Sequence, residues 1–95
     1  MNNLLSIIDS NQIVLITRPG CDNCIKLKNY FLENNHMYYH YDVSKLDDNE
    51  YEDVVSKLKN QYDMTVYPLT FVEKKCINDY KEVMKMLLFK DDLDY

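Results

Sequence analysis

"VLITRPGCDNCIKL", residues 14–27, holds the only glycine of a 95-residue chain, one of its two prolines and two of its three cysteines. The β-branched and aliphatic run that leads into it, QIVLIT at residues 12–17, has the character of a strand buried on both faces. Beyond the cysteines, Cys24, Leu27 and Phe31 fall at i, i+3 and i+7, the stripe of an amphipathic helix, which Ile25 and Leu32 widen until "ENN" ends it. Cys21 therefore stands where a buried strand gives way to a helix. The unpaired N–H groups and the positive dipole end found there favour an anion, so they favour thiolate over thiol. Gly20 takes up the turn without a side chain to cover the sulfur, and Pro19 stiffens the approach. Cys24 lies one helical turn along on the same face and deeper, where it can attack a mixed disulfide formed on Cys21 and release the partner. Cys21 is read as the nucleophile and Cys24 as the resolver.

Working outward, the length suits one domain over residues 1–95 with a single modest core at 46% hydrophobic residues. The 16 Asp and Glu exceed the 11 Lys and Arg, giving a net charge of −5 with no basic stripe to follow a phosphate backbone, so nucleic acid is not an expected partner. No apolar run approaches the ~20 residues that span a bilayer, and "MNNLLSIIDSNQ" lacks the basic start and small-residue cleavage site of a leader. Three cysteines, two at CxxC spacing, suit a reducing compartment better than a secreted disulfide framework. A cytoplasmic monomer is the expectation.

The remaining periodicities alternate helix with strand. "LLSII" reads as a short leading helix, and "MYYHYDV" is rich in strand formers. "DDNE" caps a helix carrying Tyr51, Val54, Val55, Leu58 and Tyr62 on one face. "LTFVE" and "KCIN" read as two short strands around Lys74 and Lys75. The last helix has Tyr80, Val83, Met84, Leu87 and Leu88 on one face, and Asp79 with Glu82 has the spacing of a capping box. The order β-α-β-α-β-β-α makes an α/β sandwich, with the first two strands parallel by the right-handed crossover rule.

A lone CxxC is also half of a zinc site. The other available ligands are Cys76, His36 and His40, with no second CxxC, and "HMYYH" pairs its histidines only if that strand-like run is helical. No metal is expected. Cys76 reads as a small hydrophobe in a strand, and the two histidines as surface or loop-edge residues.

The chain resembles the glutaredoxins over nearly its whole length. Members of that family carry a Lys or Arg three residues before the first cysteine, where this chain has Arg18. They carry a Thr-Val-Pro stretch with a cis proline facing the active site, matched by Pro68 in "TVYPLTFV". A Cys-Ile-Gly-Gly segment before the last helix is matched by "CIND", Cys76 to Asp79. The resemblance implies a three-layer α/β/α thioredoxin-like sandwich of the glutaredoxin type, with a four-stranded mixed sheet. It implies a thiol–disulfide oxidoreductase that reduces protein or glutathione mixed disulfides, with glutathione as reductant and disulfide-bearing proteins as partners. Arg18, Asn23, Val66, Tyr67, Pro68, Asp79 and Tyr80 are the implied glutathione and substrate residues, the peptide groups of Tyr67 pairing with an extended substrate as a strand edge does.

Three departures qualify it. Asp22 and Asn23 replace Pro and Tyr between the cysteines, and Asp22 sets a negative charge beside the thiolate. Tyr67 puts a phenol where the family has valine. Asn78 and Asp79 replace the Gly-Gly with which the family opens the helix that holds the γ-glutamyl carboxylate of glutathione; Asp79 either consumes those N–H groups as an N-cap, the favoured reading, or meets glutathione's α-ammonium. Asp79 and Tyr67 suggest one alternative, an electron carrier for a dedicated protein partner that does not use glutathione; the resemblance implies another, an iron–sulfur module bridging two copies through Cys21 and glutathione, as some glutaredoxins do.

Overall fold

A computed structural model describes residues 4–64 and 67–93 of the chain. Its elements run α1 (Leu4–Ser10), β1 (Ile13–Thr17), α2 (Asp22–Glu33), β2 (Tyr39–Asp42), a single 3₁₀ turn (Val43–Lys45), α3 (Asp48–Tyr62), β3 (Leu69–Val72), β4 (Lys75–Ile77) and α4 (Tyr80–Leu93). All five residues of β1 are buried, as its aliphatic run Ile13–Ile16 leads one to expect, with Thr17 buried at its end. It lies inside a sheet of order β2-β1-β3-β4, parallel to β2 and antiparallel to β3, with β3 and β4 antiparallel. The mixed sheet and the parallel first pair are those expected.

Because successive side chains of a strand point to opposite faces, β1 feeds two cores. Val14 and Ile16 pack with Leu4 and Ile8 of α1 and with Val54 and Leu58 of α3. Ile13 and Leu15 pack with Leu27 and Phe31 of α2 and with Val83 and Leu87 of α4. Helices thus cover both faces, making the α/β/α sandwich. The helix starts are set by side chains that accept otherwise unpaired N–H groups: Asp47 Oδ1 accepts from Glu50 N–H at 2.8 Å, and Asp79 Oδ1 from Lys81 N–H at 2.9 Å.

The structure corrects the sequence reading at several places. Ile25 and Leu32 do not widen the buried stripe of α2: they are 51% and 67% exposed, because each lies about a hundred degrees around the helix from the Cys24–Leu27–Phe31 line that meets the sheet. Tyr51, at 42% exposure, likewise leaves the apolar face of α3. The strand in "MYYHYDV" is shorter than its composition suggests. Met37 is exposed, and Asp42 ends the strand by accepting Ser44 N–H at 2.9 Å, turning Val43 into the 3₁₀ turn. His40 is exposed, as read, and lies within β2, where it shares a 2.6 Å hydrogen bond with the buried Thr17 hydroxyl. The side chain of Leu88 lies outside the described residues.

A chain this poor in glycine makes its tight turns with other residues. Glu73 and Lys74 join β3 to β4 with φ of 51° and 71°, the left-handed pair that matches the twist of a two-residue hairpin.

Candidate active site

The end of β1 delivers the chain to Arg18, Pro19 and Gly20, and Gly20 turns at φ +72°, a conformation that side-chain-bearing residues rarely hold. That turn places Cys21 as the N-cap of α2. Its extended backbone (φ −104°, ψ 106°) lets its carbonyl accept from Ile25 N–H at 3.2 Å, while its Sγ accepts from Cys24 N–H at 3.1 Å. Sulfur here does what a Ser or Asp oxygen does at other helix starts, so α2 directs an N–H donor and its dipole at Cys21 Sγ. Cys21 and Cys24 are joined as a disulfide, their Cα atoms 5.2 Å apart. Cys21 is 7% exposed and lines a cleft, whereas Cys24 is 2% exposed and does not.

Opposite α2, the Tyr67–Pro68 peptide bond is cis and Pro68 is buried at the entrance to β3. Tyr67 is half-buried, and the Arg18 guanidinium lies over its ring, 5.4 Å from the centroid, within cation–π range. Burial pushes the Tyr67 phenol above its ordinary value, the nearby Tyr51 adds to this and Arg18 opposes it. Its hydroxyl is buried with no hydrogen-bond partner among the described residues.

Tyr67 separates two clefts. The larger, of about 680 Å³, opens beside Cys21 between Arg18, Gly20, Asp22 and Asn23 on one side and Tyr51, Lys59 and Met64 on the other. The second, of about 400 Å³, runs past Pro68 to Asn78, Asp79, Tyr80 and Lys81 at the start of α4. Asn23 and Tyr67 face both. The structure therefore brings Arg18, Asn23 and Tyr67 into one cleft with Cys21, and Pro68, Asp79 and Tyr80 into the adjoining cleft that Asn23 and Tyr67 share, while Cys24 is buried. Val66 lies outside the described residues.

At α4, the Asp79 carboxylate accepts Lys81 N–H, and its carbonyl accepts from Glu82 and Val83 at 3.0 and 3.3 Å. The helix start is capped from within its own sequence. Sequence reasoning missed Tyr51 and Lys59, which form the far wall of the larger cleft. Both sit on α3, more than two turns apart, and no local motif marks them. The one available signal is that Tyr51, at the edge of its stripe, carries a polar tip that burial would leave unpaired.

Outside this groove, Cys76 is half-buried on β4, its thiol pushed up by burial and by Asp63. Among the described residues no three His, Cys, Asp or Glu side chains converge on a site fit for a metal ion. No helix among them is long and apolar enough to cross a membrane.

Solved structures share this fold. The dithiolic glutaredoxin of Trypanosoma brucei brucei superposes with a TM-score of 0.78 at 19% identity, over 99% of this chain and 94% of the other. A buckwheat glutaredoxin, solved in complex with glutathione, superposes with a TM-score of 0.76 at 18% identity, over 87% of this chain and 74% of its own. This is a thioredoxin fold of the glutaredoxin type. The glutaredoxin-type fold also matches a thioredoxin-like protein at a TM-score of 0.62 and 23% identity, over 80% of this chain and 97% of the other. No protein-family model and no curated protein matches the sequence.

Proposed function

We propose that the chain is a thiol–disulfide oxidoreductase in which Cys21 exchanges with a partner's disulfide and Cys24 resolves the mixed disulfide. The observation that carries the reading is the paired Cys21 and Cys24 at the start of α2, the outer sulfur hydrogen-bonded by a helix N–H and facing a cleft beside a cis proline.

In the reducing direction the Cys21 thiolate attacks one sulfur of a protein or glutathione mixed disulfide, and the other sulfur leaves as a thiolate that takes a proton. Cys24 then gives up its proton and attacks the Cys21 sulfur, which releases the first sulfur as a second thiol. Two electrons and two protons pass to the partner, and the Cys21–Cys24 disulfide remains. Arg18 supplies positive charge at the mouth, and an extended substrate lies along the backbone of Tyr67 and Pro68 and against Asn23 and Tyr80, with Val66 next in the chain. A thiol donor, glutathione or a protein dithiol, then regenerates the pair. A single domain working as a monomer in the reducing cytoplasm suits this cycle.

A single-turnover exchange tests it without any choice of reductant. The reduced protein, mixed with a glutathionylated peptide, releases the peptide thiol and forms the internal disulfide. Cys24→Ser instead accumulates the mixed disulfide on Cys21, and Cys21→Ser does neither. Peptide release that survives Cys21→Ser would overturn the reading.

A further inference from the structure

Arg18, the only arginine of the chain, is exposed, and a side chain with so many rotatable bonds spreads over many directions in water unless something holds it. Asp22 lines the same cleft, yet among the described residues no carboxylate pairs with Arg18. What meets the guanidinium is the ring of Tyr67, 5.4 Å from its carbon to the centroid. This partner attracts a cation without cancelling its charge, because burial keeps the phenol neutral. The hydroxyl is itself buried with no hydrogen-bond partner among the described residues, so the ring is the part of Tyr67 that acts on its surroundings. Tyr67 borders both clefts, whereas Arg18 lines the one that holds Cys21 and not the other. The stack thus keeps the guanidinium on the Cys21 side of the ring.

We infer that Tyr67 is a positioning residue for the exchange chemistry proposed above: its ring fixes the Arg18 charge in the cleft where Cys21 reacts as a thiolate, and it favours that thiolate through Arg18. With Cys21 reduced, the guanidinium favours loss of the thiol proton to solvent. Asp22 in the same cleft opposes that loss, and Lys59 on the far wall adds to it. Without the ring, the Arg18 side chain disperses into water, where distance and salt weaken its effect on the sulfur.

The reduced protein is alkylated with iodoacetamide over a range of pH, and modification at Cys21 is located by peptide mass. Tyr67→Leu, which fills space without a ring, should slow alkylation about threefold on the acid side of the profile, where thiolate is scarce. Tyr67→Phe keeps the ring and should keep the parent profile. Arg18→Gln, at an exposed position, should slow alkylation at least as much as Tyr67→Leu, and adding Tyr67→Leu to it should change nothing further. An unchanged profile in Tyr67→Leu or in Arg18→Gln overturns the inference. So does a Tyr67→Phe as slow as Tyr67→Leu, or a Tyr67→Leu effect undiminished once Arg18 is gone. Single-turnover peptide release by the reduced parent judges the exchange chemistry separately: release without this alkylation pattern overturns the inference alone, and no release overturns both.

Discussion

Replacing Gly20 by alanine isolates the conformational demand at the mouth of the active site. A Cβ built at Gly20 meets nothing within 4 Å, so the substitution introduces no clash, and φ of +72° is the only obstacle. Holding an L-residue there costs about 1–2 kcal/mol. Alanine also restricts the unfolded chain, which returns about 0.4–1 kcal/mol, leaving a net loss of about 1 kcal/mol. For a domain of this size that is a fall of roughly 4–8 °C in Tm. Gly20→Asn should lose less, since asparagine enters the left-handed region more readily. If alanine instead escapes by rotating the peptide toward negative φ, Cys21 moves off its N-cap position and peptide release in single-turnover exchange slows. Thermal melts and the exchange rate, measured on the same three proteins, separate these costs. Gly20→Ala as stable as the parent and equally fast, or Gly20→Asn no better than Gly20→Ala, would refute the argument from backbone conformation.

Other outcomes follow from features away from the groove. Lys74→Gly relieves a residue at φ 71° in the β3–β4 turn and should stabilise the protein by about 0.5–1 kcal/mol in a urea melt, whereas an unchanged midpoint would mean the turn holds no strain. His40 is held below its ordinary value of 6.5 by burial first and then by Lys28 and Lys45, with Asp42 opposing. The unfolded histidine therefore takes up its proton first as pH falls. Stability should drop as pH descends through 6.5 and on to the lower folded-state value, and His40→Gln should flatten that slope. With Cys21 and Cys24 oxidised, Cys76 is the thiol left to alkylate, and burial together with Asp63 holds it protonated. It should react more slowly at neutral pH than an unstructured thiol, and Asp63→Asn should speed it. A rate equal to the unstructured thiol's would contradict the burial seen on β4.

Signals that are local in sequence reported the fold well. The aliphatic run of β1, the Cys24–Leu27–Phe31 stripe and the cap Asp47 each declare themselves within a few neighbours, and each is found as read; Asp79 also caps its helix, though through Lys81 N–H and not as half of a capping box with Glu82. Where burial is decided by distant contacts, the reading failed. Ile25, Leu32 and Tyr51 have the chemistry of core residues, but the sheet is only wide enough to cover one line of each helix. The groove was legible from the cysteine side because Arg18 to Cys24 is one continuous motif. Its opposite wall was not, because Tyr51 and Lys59 reach Cys21 only through the packing of α3 across the sheet. The Arg18–Tyr67 stack was invisible for the same reason, joining residues 49 positions apart that no periodicity connects.

The division of the interior into two cores bears on how the larger cleft keeps its width. Cys21 to Asn23 ride on α2, which is seated through Leu27 and Phe31 on one face of the sheet, whereas Tyr51 and Lys59 ride on α3, seated through Val54 and Leu58 on the other. The jaws of the cleft thus share no packing partner, and β1 is the common anchor plate. A substitution that loosens one layer displaces one jaw while the other keeps its place. Stability losses from Leu27→Val and Leu58→Val should then add almost independently, since the two side chains belong to separate cores. Their effects on exchange should combine otherwise, because reactivity depends on the gap between the jaws, to which each layer contributes one side.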